Sequence, residues 1–234
     1  MNNSTRKLNN IGKRGIAREF ALIVIGIILL FGSAGTFSWV RGWIYICLMF
    51  SYQIIYVSIL MVINPQLLNE RGKFNWKETK RYDRYFLIFY SIFGFSTLIV
   101  AGLDAVRFQW SSIPFITIYP SILVFIIASL IALWAYVSNS HFILTHRDDK
   151  ISNQRVCTSG PYRYIRHPGY LGGIISSICY PFMLGSLFSF IPVLINIFII
   201  IMRTYYEDKT LKIELNEYDE YSKMTKYRLF PYVW

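Results

Sequence analysis

Charge is scarce in this chain. Only 16% of its 234 residues are Asp, Glu, Lys or Arg, where a soluble domain carries about one quarter. The charges that exist collect in a few segments, separated by apolar runs too long for the core helices of a soluble protein. Cysteine is scarce as well: Cys47, Cys157 and Cys179 show no paired spacing, so neither a disulfide framework nor a thiolate metal site is indicated. His141, His146 and His167 lack the i, i+4 spacing of a helical metal pair, and no metal is expected. No Gly-x-Gly-x-x-Gly string follows a β-like run. The nearest candidate, Gly32-Ser33-Ala34-Gly35, lies in an apolar run and reads as a helix-packing site. No small-residue cleavage site follows the first apolar run, so a removable leader is not expected.

What the chain has in abundance is apolar surface: 54% of residues are hydrophobic and 18% aromatic. Runs at about Phe20–Trp39 and Trp43–Ile63 are separated by Val40, Arg41 and Gly42, which predicts a tight helical hairpin. Asn64-Pro65 stops the second helix. Further runs cover about Tyr85–Leu103 and Ile113–Val137, and Pro114 and Pro120 let the latter bend or start late. The last run, Gly169–Met202, has 34 residues, too many for one span and few for two. Turn chemistry around Tyr180–Ser186 predicts two short, tilted helices joined there. An all-α, polytopic membrane bundle of about six spans follows, with the last two as a short hairpin and a cytoplasmic C-terminal helix after them. The expected organisation is a single domain, 1–234, with a four-helix membrane part at 1–137 and a catalytic part at 138–234.

The net charge of +11 invites a nucleic-acid reading, but the basic residues sit beside the spans. With six crossings and both ends inside, 22 of the 24 Lys and Arg fall on the cytoplasmic side, leaving Arg41 and Arg107 outside. Nucleic acid is not an expected partner; membrane lipids are. This topology also brings the segment before the last hairpin next to the segment after it.

Those two segments hold the residues suited to chemistry. The first runs Gln154-Arg155-Val156-Cys157 and then Gly160-Pro161-Tyr162-Arg163-Tyr164-Ile165-Arg166-His167-Pro168-Gly169-Tyr170-Leu171-Gly172. Gly160-Pro161 makes a turn, and Pro168 is placed to open a helix whose first N–H groups favour an anion. Arg166 and His167 add donors, and Tyr162, Tyr164 and Tyr170 offer faces for a purine or a sulfonium. Beyond the hairpin, Arg203 precedes Glu207 and Asp208, which supply acceptors for an amine or ribose hydroxyls. Each residue alone also has a bland reading as a topology anchor, an interfacial aromatic or a solvated acid. Their meeting on one side of one hairpin is what favours a ligand site.

The string from Gly160 to Gly172, followed by Arg203, Glu207-Asp208 and Leu211, resembles the isoprenylcysteine carboxyl methyltransferase family, with the related phospholipid N-methyltransferases sharing much of the signature. The resemblance covers about Ser138 to Trp234. It implies an S-adenosylmethionine-dependent methyltransferase acting on a lipophilic acceptor, a carboxylate of isoprenylcysteine type or a lipid amine. It also implies that Gln154, Arg155, Val156, Cys157 and Tyr162 line the cofactor pocket, that His167, Pro168, Gly169 and Tyr170 close over it, that Glu207 and Asp208 belong to it, and that Arg203 faces the acceptor. The family often has histidine where Gln154 stands, and a Glu-Glu pair where this chain has Glu207-Asp208. Two rival classes are a nicotinamide-dependent membrane sterol reductase, which shares an Arg-His-Pro-x-Tyr string, and a small membrane transporter. The acidic pair after the hairpin argues against the first, and spans almost free of ionisable residues argue against the second.

Overall fold

The computed structural model describes residues 7–73, 75–77, 79–139, 156–215 and 217–234. Among these there are eight α-helices and no strand. Helices α1 (Asn10–Ala34) and α2 (Val40–Ile63) form the first hairpin. Helix α1 starts ten residues before the apolar run, inside the basic segment, because the Asn9 side chain accepts from the N–H groups of Ile11 and Gly12 at 2.9 Å each. It ends at Gly35, whose φ of 72° is a left-handed cap. The connecting loop is therefore Gly35–Trp39, and Val40, Arg41 and Gly42 form the first turn of α2 rather than the loop. Arg41 is buried there, donating to the carbonyls of Phe182 (2.9 Å) and Ile113 (2.7 Å). It pins the far ends of three elements together instead of lying in an outer loop.

Asn64 caps and Pro65 opens the short helix α3 (Pro65–Gly72), which packs on α1. The approach is close enough that a Cβ on Gly15 would lie 2.7 Å from the Gly72 Cα. Helix α4 (Arg81–Gly102) continues into a π-helical turn, Leu103–Phe108. Helix α5 (Ile118–Ser138) starts late, after Pro114 and a 3₁₀ turn, as the prolines predict. The long final run is indeed a hairpin, of α6 (Pro168–Leu184) and α7 (Phe190–Glu214). Its turn falls later than the sequence suggests: Pro181 stays inside α6, and the chain reverses at Gly185, with φ 80°. Asp104 holds this turn from the π-helical segment. Its Oδ2 accepts from the hydroxyls of Ser111 and Ser186, both at 2.6 Å, and from the Phe188 N–H at 3.2 Å. A short helix, α8 (Tyr218–Met224), follows α7.

Among the described residues, five helical segments are long and apolar enough to cross a membrane: α1, α2, α4 with its π-helical extension, α5 with its 3₁₀ start, and α7. Helix α6 has 17 residues, about 25 Å at 1.5 Å per residue, the short member of the last pair. The chain is a multi-pass integral membrane protein. Helix α6 lies mainly along α5 and α7 mainly along α4, so the hairpin splays and each arm finds its own partner. Gly172 makes the first of these contacts possible, since a Cβ there would sit 2.7 Å from the Ala128 carbonyl oxygen and 2.9 Å from the Ala132 Cβ. Gly172→Val is expected to cost about 1–3 kcal/mol through overpacking, read as a lower unfolding temperature in detergent; an unchanged value removes the close approach.

Candidate active site

The basic segment before α6 and the tail after α7 are bonded to each other. Gly160 adopts φ 60°, where a Cβ would strike the Ser138 hydroxyl, and it starts a 3₁₀ turn, Gly160–Arg163. That turn buries Tyr162 against Ala135, Leu215, Tyr218 and Tyr221, with Val156 and Cys157 packed alongside. The Tyr221 hydroxyl donates to the Tyr162 carbonyl at 2.7 Å. The Arg166 and His167 N–H groups donate to the carbonyls of Tyr227 and Arg228, each at 2.9 Å. The tail thus runs along the Arg-His-Pro string as a backbone partner. Pro168 occupies the first turn of α6 and His167 its cap position, as expected. The Tyr170 N–H is spent on the His167 carbonyl at 3.1 Å, so this helix start offers fewer free donors than the sequence suggests.

Two carboxylates organise the polar groups. Asp208 is 1% exposed and is held from four sides. Tyr218 donates to its Oδ1 at 2.9 Å, Arg228 Nε donates to its Oδ2 at 2.9 Å, and Arg166 Nε and His167 Nε2 lie 3.3 and 3.7 Å from Oδ1. Burial, with the Asp208 carboxylate beside it, pushes the Tyr218 phenol well above its ordinary pKa, so it stays a neutral donor. Glu207, one residue earlier, faces another neighbour set. It accepts from the Tyr170 hydroxyl, and its Oε2 is 3.7 Å from Arg203 Nε, one helical turn away. Arg203 in turn lies 3.1 Å from Asp83 Oδ1 in the first turn of α4, and its guanidinium sits 4.1 Å from the Phe86 ring centre and 5.3 Å from that of Tyr170. Asp83 is fully buried. The His167 and Tyr170 rings are parallel, 5.6 Å apart.

The structure therefore brings His167, Tyr170, Arg203, Glu207 and Asp208 together, with Val156, Cys157 and Tyr162 packed on the tail beside them. Pro168 and Gly169 are buried at the start of α6. Gln154 and Arg155 lie outside the described residues, as do His141 and His146. Sequence reasoning missed Asp83, and it gave no role to Tyr218 and Arg228, which lie in the tail that the resemblance covers. Asp83 carried a faint signal as an acid set between Arg81 and Arg84 directly before a span.

Two apolar spaces lie near this cluster. A cleft of about 530 Å³ between α4 and α7 is lined by Tyr82, Tyr85, Phe86, Phe89, Met202 and Arg203, among others. A second pocket of about 350 Å³ opens between α1, α2, α4, α5 and α6, with Tyr136 and Gly173 in its wall. Both volumes are in the range of small-molecule sites.

Residues 121–213 match the isoprenylcysteine carboxyl methyltransferase (ICMT) family. Members of that family are S-adenosylmethionine-dependent methyltransferases. The matched stretch takes in most of α5, all of α6 and nearly all of α7, and so the Arg166–His167 and Glu207–Asp208 pairs. Asp83, Tyr218 and Arg228 fall outside it. No curated protein matches the chain.

Proposed function

With that family match as premise, we propose that this chain transfers a methyl group from S-adenosylmethionine to a lipophilic acceptor that reaches the site sideways from the bilayer. The observation that carries the reading is the buried chain Tyr170–Glu207–Arg203–Asp83. It ties the start of α6 through α7 to α4 at one end of the membrane-facing α4–α7 cleft. The charge pattern of the sequence supports the cytoplasmic side for this end and for both termini.

The residues present suit the cofactor. S-adenosylmethionine has a sulfonium, an amine, a carboxylate and an adenine. Glu207 is a buried carboxylate on the same side as Tyr170, and a carboxylate suits the amine or the sulfonium. The parallel His167 and Tyr170 rings supply flat faces. Glu207, Tyr170, His167, Tyr162 and the Val156–Cys157 backbone would hold it, with Gln154 and Arg155 completing the set as the resemblance implies. When bound, the cofactor supplies an activated methyl group with its leaving group attached. What remains for the protein is positioning and exclusion of water, and such alignment contributes on the order of 7–11 kcal/mol. Tyr170 and Arg203 fix the Glu207 carboxylate from two sides. Asp208, saturated by its own partners, locks the Arg-His-Pro string and the tail to α7.

The direct test is incubation of the purified protein with methyl-labelled S-adenosylmethionine and a lipid extract. Label should enter the organic phase in a protein-dependent way; label that stays in water with every extract defeats the reading. Arg203→Ala, which frees Asp83 and Glu207 from their shared cation, is expected to lower the rate at least about tenfold. An unchanged rate and acceptor affinity would release Arg203 from any role.

A further inference from the structure

The α4–α7 cleft has two cations in its lining, Arg81 and Arg203, and they are not equivalent. Arg203 is buried, with Asp83 Oδ1 at 3.1 Å, Glu207 Oε2 at 3.7 Å and the Phe86 ring against its guanidinium. Arg81 stands exposed in the first turn of α4, with its guanidinium 5.9 Å from the Tyr85 ring centre. Among the described residues, no carboxylate or carbonyl engages it. The basic residues beside it in sequence are committed: Lys80 pairs with Glu214, and Arg84 donates to the carbonyls of Thr79 (2.7 Å) and Lys77 (3.0 Å). Polarity then falls along the cleft. On α4 the lining runs from Arg81 and Tyr82 through Tyr85 and Phe86 to Phe89, about 12 Å at 1.5 Å per residue. On α7 it runs from Tyr206 and Arg203 through Met202 to Ile199 and Phe198. A cation at the mouth and an aromatic and aliphatic floor fit an amphiphile with an anionic head and one apolar chain lying along the two helices.

We propose that Arg81 captures the carboxylate of a single-chain acceptor at the mouth of this cleft, while the apolar walls take its chain. Arg81 lies outside the stretch that matches the family, so the match gives it no role. That the carboxylate is a methyl acceptor rests on the function proposed above; the cleft's preference for an anionic head does not. Arg81 contributes to binding: an exposed cation raises the occupancy of the cleft by the ionised acceptor and leaves the methyl-transfer step unchanged. The ionised form is also the reactive one. A carboxylate oxygen pair makes the O–CH₃ bond as the S–CH₃ bond breaks, the electron pair of the broken bond stays on sulfur, and no proton has to be removed.

Binding is measured first, without cofactor. Tetradecanoate and tetradecanol are compared in nonionic micelles, at low salt and a pH at which the acid is ionised, through the shift each causes in the unfolding temperature. Wild type is expected to bind the carboxylate about fivefold more tightly than the alcohol, the upper range for an ion pair near water. Arg81→Gln should remove the preference and Arg81→Lys should keep it, each with an unliganded unfolding temperature within a few degrees of wild type. A preference that survives in Arg81→Gln, or a wild type that binds both alike or neither, overturns the proposal. Turnover is measured second, with methyl-labelled cofactor and a farnesylated cysteine. Arg81→Gln is expected to raise KM for the acceptor about fivefold, with kcat and cofactor affinity unchanged; an unchanged KM overturns the assignment. If neither protein methylates the acceptor while the binding preference still depends on Arg81, it is the methyltransferase reading that fails, and the cleft's preference stands.

Discussion

Glu207→Gln is expected to weaken S-adenosylmethionine binding by about ten- to a hundredfold. A hydrogen bond to a charged group is worth roughly 1.5–3 kcal/mol, and each 1.4 kcal/mol is a factor of ten. The substitution keeps the shape of the side chain and an oxygen for the Tyr170 hydroxyl, and it leaves the Arg203–Asp83 pair in place. What it removes is the negative charge of the Glu207 carboxylate itself. The protein should therefore still fold, with an unfolding temperature within a few degrees of wild type, while calorimetric affinity for the cofactor falls. A normal affinity in a well-folded variant would take Glu207 out of the pocket and leave it as an internal brace for Arg203.

That the site could be found in the sequence at all follows from one topological fact. The last apolar run is too long for a single crossing, so the Arg-His-Pro string before it and the acidic pair after it have to emerge together. The backbone bonds from Arg166 and His167 to the tail are the physical outcome. Local chemistry also announced the ends marked by proline: Asn64-Pro65 and Pro168 both sit where the helix changes. Other boundaries were misplaced for a common reason. An apolar run marks what is greasy, and helices continue past the grease when a cap or a close contact favours it. Asn9 extends α1 into the basic segment, and Gly35 and Gly185 set their turns by left-handed geometry rather than by hydropathy. Arg41 shows the limit at one end of the bundle, where counting charges assigned it to a loop and the fold gave it two carbonyls to bind. Asp83 shows it at the other end. Its partner Arg203 is 120 residues away, and no local pattern links them.

Asp208 and Glu207 are neighbours in sequence with divided tasks, and Asp208→Ala separates them. Asp208 is a contact between α7, the string before α6, α8 and the tail, through Arg166, His167, Tyr218 and Arg228. Removing one partner of a buried ion pair costs about 3–5 kcal/mol, and here it leaves two arginines facing each other. At roughly 2–4 °C per kcal/mol for a chain of this size, the unfolding temperature should fall on the order of 10 °C. The loss should begin at the tail. With its anchor gone, the segment after α7 is expected to become open to limited proteolysis before the helices of the first hairpin do. Asp208→Asn should be milder, because an amide oxygen still accepts from Tyr218 while the charge that holds Arg228 is lost. A direct contact to the cofactor predicts the reverse: weakened binding with an unchanged unfolding temperature and a protected tail. The buried position of Asp208, with both carboxylate oxygens already engaged by the fold, favours the first outcome, because a carboxylate so engaged organises a pocket from behind its wall.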